Sequence, residues 1–113
     1  MDVVSSDRHT VKPWFAGKLD FAPEVRDLAT AGFTLAGGRL DYLHGRTVAA
    51  LVYRRRQHTI NLFVWPAHDS DRPPRAETHE GFHVESWIHG GMNWWAVSDL
   101  AADELAELPR VLM

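Results

Sequence analysis

The segment from Gly32 to Trp65 constrains the fold more than any other part of the chain, because its apolar residues alternate as those of β-strands do. Phe33 and Leu35 alternate with polar or small residues, and Leu40 and Tyr42 resume the alternation on the opposite parity. A strand can change parity in this way where one extra residue is inserted as a β-bulge. The pattern therefore predicts a strand with a bulge near its middle.

Glycines and apolar runs complete the prediction of three antiparallel strands in this segment. The pair Gly37-Gly38 lies where the parity changes, and glycine inside a strand is typical of a bulge. His44-Gly45 predicts a tight turn, after which Val48–Tyr53 is apolar on both parities, as in a central strand covered on both faces. Arg54–His58 predicts the next turn. The third strand has one apolar face, formed by Ile60, Leu62 and Val64.

The rest of the sequence predicts two further strands and helical segments. Apolar residues at helical spacing in Glu24–Ala31 predict a helix near the N-terminus. His68–Thr78 contains two adjacent prolines and many charges, which are typical of a surface loop. Alternation resumes in Phe82–Ile88 and in Met92–Val97, and Gly90-Gly91 between them predicts a hairpin turn.

A stripe of leucines predicts a last helix, which Ser98 or Asp99 can cap. The stripe comprises Leu100, Leu105, Leu108 and Leu112. Pro109 is expected to end or bend this helix, and the polar Met1–Thr10 to form a short helix or a loosely ordered lead-in. The predicted fold is α+β: a mainly antiparallel, twisted sheet of about five strands with an N-terminal helical segment and a C-terminal helix. Residues 1–113 are expected to form a single domain.

Composition excludes some function classes. The chain has no cysteine, so disulfides and thiolate chemistry are excluded. Its net charge of -3 gives no electrostatic reason to bind nucleic acid, although Arg54, Arg55 and Arg56 form a local basic cluster. We expect a solvated turn there, or part of a partner surface. No apolar run approaches the ~20 residues that span a bilayer, and the first residues lack a signal-peptide pattern.

The seven histidines are the main candidates for metal chemistry, and their spacing argues against it. His79 and His83 would lie ~13 Å apart along a predicted strand. They could still converge with His68, His89 and a carboxylate such as Glu80 or Glu85. No recognised zinc spacing is present, however, so we expect no stoichiometric zinc and no cofactor.

His9 lies in a polar segment and could form a ligand or partner surface with Lys12 and Trp14. The alternative is structural. In that case Ser6 or Asp7 caps a turn, His9 bonds a backbone carbonyl, and Trp14 packs in the core. The sequence favours the structural alternative and leaves both open.

The sequence contains no pattern of a known catalytic site. There is no Gly-x-Ser-x-Gly elbow, no phosphate loop and no dinucleotide fingerprint. The serines lack a motif that would activate them, and no motif selects a carboxylate pair such as Asp41 with Glu85. We therefore predict that the domain is not an enzyme.

The tryptophans give physical support for a binding function. Consecutive residues of a strand point to opposite faces, so Trp94 and Trp95 cannot share one layer. We predict that Trp94 lies inside, beneath the C-terminal helix, because Met92 and Ala96 continue its apolar face. Trp95 would then lie under a second cover or at a ligand or partner surface. An exposed aromatic patch is typical of protein–protein sites.

Four stretches of the sequence together resemble the extracytoplasmic domain of bacterial transmembrane anti-sigma factors. They are Ser5–Phe33, GGRLDYL at Gly37–Leu43, LVYRRRQHTINLFVWP at Leu51–Pro66 and WWAVSDL at Trp94–Leu100. The resemblance covers roughly Val4–Leu108, which is nearly the whole chain.

Proteins of that family combine a small cytoplasmic domain that holds an extracytoplasmic-function sigma factor, one membrane helix and an outer sensor domain. The resemblance implies that this chain is the outer, non-catalytic domain, on the periplasmic face of the inner membrane. It implies a sigma factor as partner through a cytoplasmic domain and contact with the membrane through a helix, neither of which this sequence contains. A periplasmic protein or a small molecule would be the signal. We expect both missing parts to lie upstream of Met1.

Two other classes remain open at the level of sequence. The first is a soluble small-molecule- or metal-binding domain that uses the histidines and tryptophans. The second is a small enzyme with an unrecognised acid–base site. A pocket with convergent polar groups would favour the first, and a strongly perturbed carboxylate or histidine in a cleft would favour the second.

Overall fold

The computed structural model describes all 113 residues, which form one antiparallel sheet of seven strands and a few short helices. The strands are β1 (Val3–Val4), β2 (Thr34–Leu43), β3 (Arg46–Arg55), β4 (His58–Pro66), β5 (Arg72–His79), β6 (Phe82–His89) and β7 (Met92–Ser98). Their order in the sheet is β1-β2-β3-β4-β7-β6-β5. The helices are α1 (Arg8–Trp14), α2 (Ala102–Leu105) and α3 (Glu107–Leu112), and Ala29–Ala31 forms a 3₁₀ turn. The predicted α+β class with an antiparallel sheet is confirmed, whereas the number of about five strands was too low.

The two missed strands carry little hydrophobic signal. His68–Thr78, predicted as a loop, contains most of β5, an edge strand whose residues are almost all exposed. Its register with β6 is interrupted between Arg72 and Arg75, where Pro73 and Pro74 cannot donate ladder hydrogen bonds. An edge strand without an apolar face has no period of two in hydrophobicity, so the charges and prolines favoured a loop.

The predicted bulge in β2 is confirmed, and it also explains the other edge of the sheet. The register between β2 and β3 shifts between Leu35 and Gly37. Val3 and Val4 of β1 pair with Gly38 and Gly37, so part of the predicted lead-in is a strand. A Cβ atom on Gly37 would lie 2.1 Å from the carbonyl oxygen of Val3. The close approach of β1 therefore depends on glycine at this position.

The α-helix predicted at Glu24–Ala31 does not form, whereas a short helix near the N-terminus does. Only the last residues of Glu24–Ala31 are helical, as the 3₁₀ turn, which Gly32 ends in the left-handed conformation. Lys12–Trp14 forms the last turn of α1. Asp7 caps α1, as one of the sequence alternatives predicted, because its carboxylate accepts a hydrogen bond of 2.8 Å from the backbone N–H of His9.

The predicted C-terminal helix is interrupted, forming α2 and α3 on either side of Ala106. Pro109 lies in the first turn of α3, where its missing N–H costs no intrahelical hydrogen bond. Because Pro109 has no backbone N–H, it cannot extend the α-helical hydrogen bonds of α2. The helix therefore breaks before the proline. The predicted leucine stripe is confirmed, since all four of its members are buried.

The two faces of the sheet are distinct. The helices and the leucine stripe pack on one face, here called the helix face, where 19 buried residues form a continuous core. Every second residue of the central strands belongs to it: Ala49, Leu51 and Tyr53, then Ile60, Leu62 and Val64, then Trp94 and Ala96. The residues of opposite parity form the second face, here called the open face. As predicted, Val48–Tyr53 is buried on both faces.

Candidate binding surfaces

The open face is largely apolar although the helices pack on the other side. Its central strands alternate their residues between the two faces, and β3 is apolar on both. The apolar residues of the open face are Val48, Ala50, Val52, Phe63, Trp65, Val84, Ile88, Trp95 and Val97. Some of them are buried by their neighbours, whereas Phe63, Trp95, Val84 and Val97 remain half-buried. The face is therefore a hydrophobic surface with aromatic side chains still partly in contact with solvent.

Trp94 and Trp95 lie on opposite faces, as the sequence predicted, and Trp94 is the inner one. Trp94 is 3% exposed, and its ring is parallel to that of Trp87 with 5.9 Å between centroids. Its indole N–H donates a 3.2 Å hydrogen bond to the carbonyl of His89. Trp95 is half-buried and makes an edge contact with Trp65 at 5.5 Å and another with His44 at 6.3 Å.

A polar pair borders the open face on β2. The guanidinium of Arg39 donates to the carboxylate of Asp41 at 3.1 Å and to the side-chain oxygen of Asn61 at 2.7 Å. Its centre lies 5.8 Å from the centroid of the Phe63 ring. Asp41 and Glu85 occupy opposite faces, so the carboxylate pair that the sequence left open does not form.

The arginine cluster Arg54–Arg56 does not act as one surface. The Arg55 side chain, 12% exposed, lies 3.2 Å from a carboxylate oxygen of Glu107 and donates to the Ala31 carbonyl at 3.0 Å. Arg56 donates to both carboxylate oxygens of Glu104 at 2.8 Å. Arg54 alone is exposed without an ion pair or hydrogen bond in the chain. The solvated turn expected here is thus partly a set of contacts with the C-terminal helices.

These contacts perturb one carboxyl group. The hydrogen bond from Arg55 lowers the pKa of Glu107. The guanidinium of Arg55 also lies over the Phe33 ring, 4.2 Å from its centroid. Arg55 therefore ties the β3–β4 turn to α3 and to the 3₁₀ turn, and its role is structural.

His9 and Lys12 line a small pocket of about 230 Å³, together with Arg8, Pro13 and Val25. Lys12 donates a long hydrogen bond of 3.4 Å to the carbonyl of Pro23. The structure thus brings two of the three predicted residues together. Trp14 does not line this pocket.

Trp14 packs in the periphery of the core. It makes an edge contact with Phe15 at 5.0 Å, and the ammonium of Lys18 lies 4.5 Å from the centroid of its ring. This arrangement agrees with the structural alternative for Trp14.

The histidines are dispersed. His79 and His83 lie on neighbouring strands, on either side of the Glu80-Gly81 turn, and not on the one strand that the sequence predicted. No three histidine, aspartate or glutamate side chains come together as metal ligands would. The shortest contact of a histidine with a carboxylate is 2.9 Å, from His58 to Asp99, and this hydrogen bond lowers the pKa of Asp99.

One buried carboxyl group lies on the helix face. Glu85 of β6 is 5% exposed, and burial raises its pKa, an effect that the charge of Arg110 partly opposes. Two residues further, the indole N–H of Trp87 is buried without a hydrogen-bond partner. Trp87 itself is fully buried in the core.

A second and larger cleft opens at the edge of the helix face, beyond α1. It has a volume of about 530 Å³ and lies between the Lys18–Phe21 loop and the ends of two strands, with Arg46, Thr47, Pro66 and His68 as lining residues. No sequence pattern indicated this cleft, because its three segments are far apart along the chain and none contains a motif.

The fold and these surfaces define an α+β domain that has one covered and one open sheet face. Comparison with models of protein families, with curated proteins and with solved structures finds no match for the chain. None of the helices has the length and apolarity that crossing a bilayer demands.

Proposed function

We propose that this chain is the outer, non-catalytic sensor domain of a transmembrane anti-sigma factor that controls an extracytoplasmic-function sigma factor. The family and the compartment rest on the sequence resemblance across Val4–Leu108. The observation that carries a binding function is the open face, where Trp95 and Phe63 remain half-buried beside the buried Val48–Tyr53 stretch of β3. Partly exposed aromatic side chains on a rigid sheet are typical anchors of protein interfaces.

Binding is proposed over catalysis because of what borders the open face. Two of its charged groups, Arg39 and Asp41, form an ion pair at 3.1 Å. The one buried carboxylate, Glu85, lies on the other face. The open face therefore offers apolar contact area and no buried ionisable group of the kind that general acid–base catalysis uses.

The mechanism is coupling between occupancy of the outer domain and its stability. A periplasmic protein or small molecule that binds only the folded domain stabilises it in proportion to the logarithm of ligand concentration. In the proposed regulator, that change in stability or exposure alters release of the sigma factor through the membrane helix and the cytoplasmic domain, directly or by regulated proteolysis.

The first test concerns the gene. The proposal requires a reading frame in which an apolar run of ~20 residues precedes Met1. Positively charged residues should flank that run on its cytoplasmic side, and a small sigma-binding domain should come before it. A reading frame that starts at Met1 would refute the sensor-domain proposal.

The second test concerns the open face in the full-length regulator. Trp95→Asp places a charge on the open face, and Tyr42→Asp makes the same change at an exposed aromatic residue outside it. Transcription from a sigma-dependent reporter should change with Trp95→Asp and not with Tyr42→Asp, while circular dichroism shows both outer domains folded. Equal reporter activity in the two variants would contradict signalling through this face.

A second candidate function is a small-molecule-binding domain independent of any membrane regulator. The observation in its favour is the 530 Å³ cleft, which falls within the range of roughly 300–1,000 Å³ that is typical of ligand sites.

A further inference from the structure

We propose that the cleft between the Lys18–Phe21 loop and the ends of β3 and β4 binds a small aromatic carboxylate. This inference goes beyond the sensor function, since it depends neither on a membrane helix nor on a sigma factor. It rests on the charge, the apolar surface and the unengaged side chains of the cleft.

The charges of the cleft favour an anion. Lys18 and Arg46 outnumber the single carboxylate, Asp20, although the chain as a whole carries a net charge of -3. His68 adds a ring that can donate a hydrogen bond, and Thr47 adds a hydroxyl. A cleft whose net charge is positive attracts anions locally, even in a chain whose net charge is negative.

Two of the side chains that could contact the anion are not engaged elsewhere. Arg46 and His68 are exposed and form no ion pair or hydrogen bond within the chain, in contrast to Arg39 and Arg55. A free guanidinium can bind a carboxylate through two parallel hydrogen bonds, which gives both energy and orientation.

Lys18 is held at the mouth of the cleft. Its ammonium donates a 2.9 Å hydrogen bond to the carbonyl of Trp14 and lies over the Trp14 ring. This anchoring fixes a positive charge with less conformational entropy left to lose on binding. Two of its three N–H donors remain available to an anion.

The apolar part of the cleft favours an aromatic body on that anion. Leu19 and Phe21 are half-buried and pack against the core, so the wall they form is firm. Pro66, at the end of β4, adds a further apolar surface. Small-molecule sites commonly combine such apolar walls with a few polar groups that orient the ligand.

Titration of the chain with benzoate, followed by amide chemical shifts, tests the proposal. We expect saturable shifts confined to the cleft, in the Lys18–Phe21 loop, at Arg46-Thr47 and at His68, with a dissociation constant on the order of 1 mM for so small a ligand. Benzamide, which has the same ring without the charge, should bind at least about tenfold more weakly. Inorganic phosphate, which has the charge without the ring, should also bind more weakly than benzoate.

Two matched variants locate the effect. Arg46→Ala should weaken benzoate binding about tenfold, whereas Arg54→Ala removes the same charge from an equally unengaged side chain outside the cleft and should leave binding unchanged. Both side chains are exposed without partners, so both variants should fold. Equal loss in the two variants, shifts outside the cleft, equal binding of benzamide or no saturable shift would each overturn the proposal.

Discussion

The two faces of the sheet bury their apolar residues by different means, and the difference separates stability from binding. On the helix face, Trp94 and Leu62 lie under other elements of the chain. On the open face, Ala50 is fully buried by its own sheet, where its cross-strand neighbours are Arg39 and Phe63. Those neighbours must themselves remain partly exposed. A partner can therefore reach aromatic surface on the open face without disturbing the core.

The largest expected difference between the faces is in the stability lost when Trp94 or Trp95 is truncated. Trp94→Ala removes a stacked core side chain and should lower the free energy of unfolding by ~3–5 kcal/mol. Trp95→Ala removes a half-buried ring and should cost only about 1–2 kcal/mol. Equilibrium urea unfolding of both variants measures the difference. Equal, large losses would mean that both faces are core, and the open face would lose its support as a binding surface.

A smaller difference in stability is expected between substitutions of Arg54 and Arg55, two adjacent arginines that point to opposite faces. Arg55→Ala should lower the free energy of unfolding by about 1–3 kcal/mol, because it leaves the Ala31 carbonyl and the Phe33 ring without their partner. The ion pair with Glu107 adds little to this, since that carboxylate is nearly half exposed.

Arg54→Ala is the control for Arg55→Ala. Arg54 has no partner in the chain, so its removal should change stability by no more than about 0.5 kcal/mol. Thermal melts of the two variants under the same buffer conditions check this. Similar losses would show that Arg55 acts through general charge and not through its contacts on the helix face.

The tyrosines provide a still smaller contrast. The hydroxyl of Tyr53 donates a 2.7 Å hydrogen bond to the carbonyl of Arg26, and burial raises the pKa of Tyr53 to about 12. Tyr53→Phe should therefore cost about 1 kcal/mol of stability. Tyr42 is 68% exposed, and Tyr42→Phe should be neutral in the same urea titration. A neutral Tyr53→Phe would mean that this hydrogen bond does not hold the segment before the 3₁₀ turn.

The last contrast is in pH dependence. Because burial raises the pKa of Glu85, its protonated form is favoured in the folded state, so its contribution to stability is greatest at low pH and is lost as pH rises through the raised value. Glu85→Gln should remove this loss. In urea unfolding, the gain in the free energy of unfolding over wild type should be larger at pH 7 than at pH 4. Glu77→Gln, at an exposed position on β5, is the control. The same pH profile for Glu85→Gln and wild type would contradict a buried carboxyl on the helix face.

Local pattern predicted the strands whose side chains alternate between environments. The strands β2, β3, β4, β6 and β7 were all predicted, because each presents apolar residues at a period of two or, for β3, on both parities. β5 and β1 were missed, because an exposed edge strand and a two-residue strand are held by pairing with a neighbour and not by an apolar face. Local pattern also misled the prediction of a helix at Glu24–Ala31. Val25 and Leu28 are buried there as an apolar helix face would be, but no helix lies between them.

The candidate surfaces, too, were only partly predictable from local pattern. The sequence identified Trp95 as the outer member of its pair, because strand parity separates the two rings and Met92 and Ala96 continue the apolar face of Trp94. It grouped Arg54, Arg55 and Arg56 by adjacency, although parity sends Arg54 and Arg55 to different faces. The aromatic anchors of the open face were therefore accessible from sequence, and the roles of the charged residues were not.

The sequence by itself determined the sheet class, the bulge at Gly37-Gly38, the leucine stripe and the inner position of Trp94, because each follows from contacts between near neighbours or from a fixed period. Only the tertiary structure decided that Arg55 meets Glu107, more than fifty residues away, and that Lys18, Arg46 and His68 line one cleft. Such contacts between residues distant in sequence depend on how the loops pack against the sheet. Exposed charged side chains leave no periodic pattern in the sequence, so their partners cannot be predicted from it.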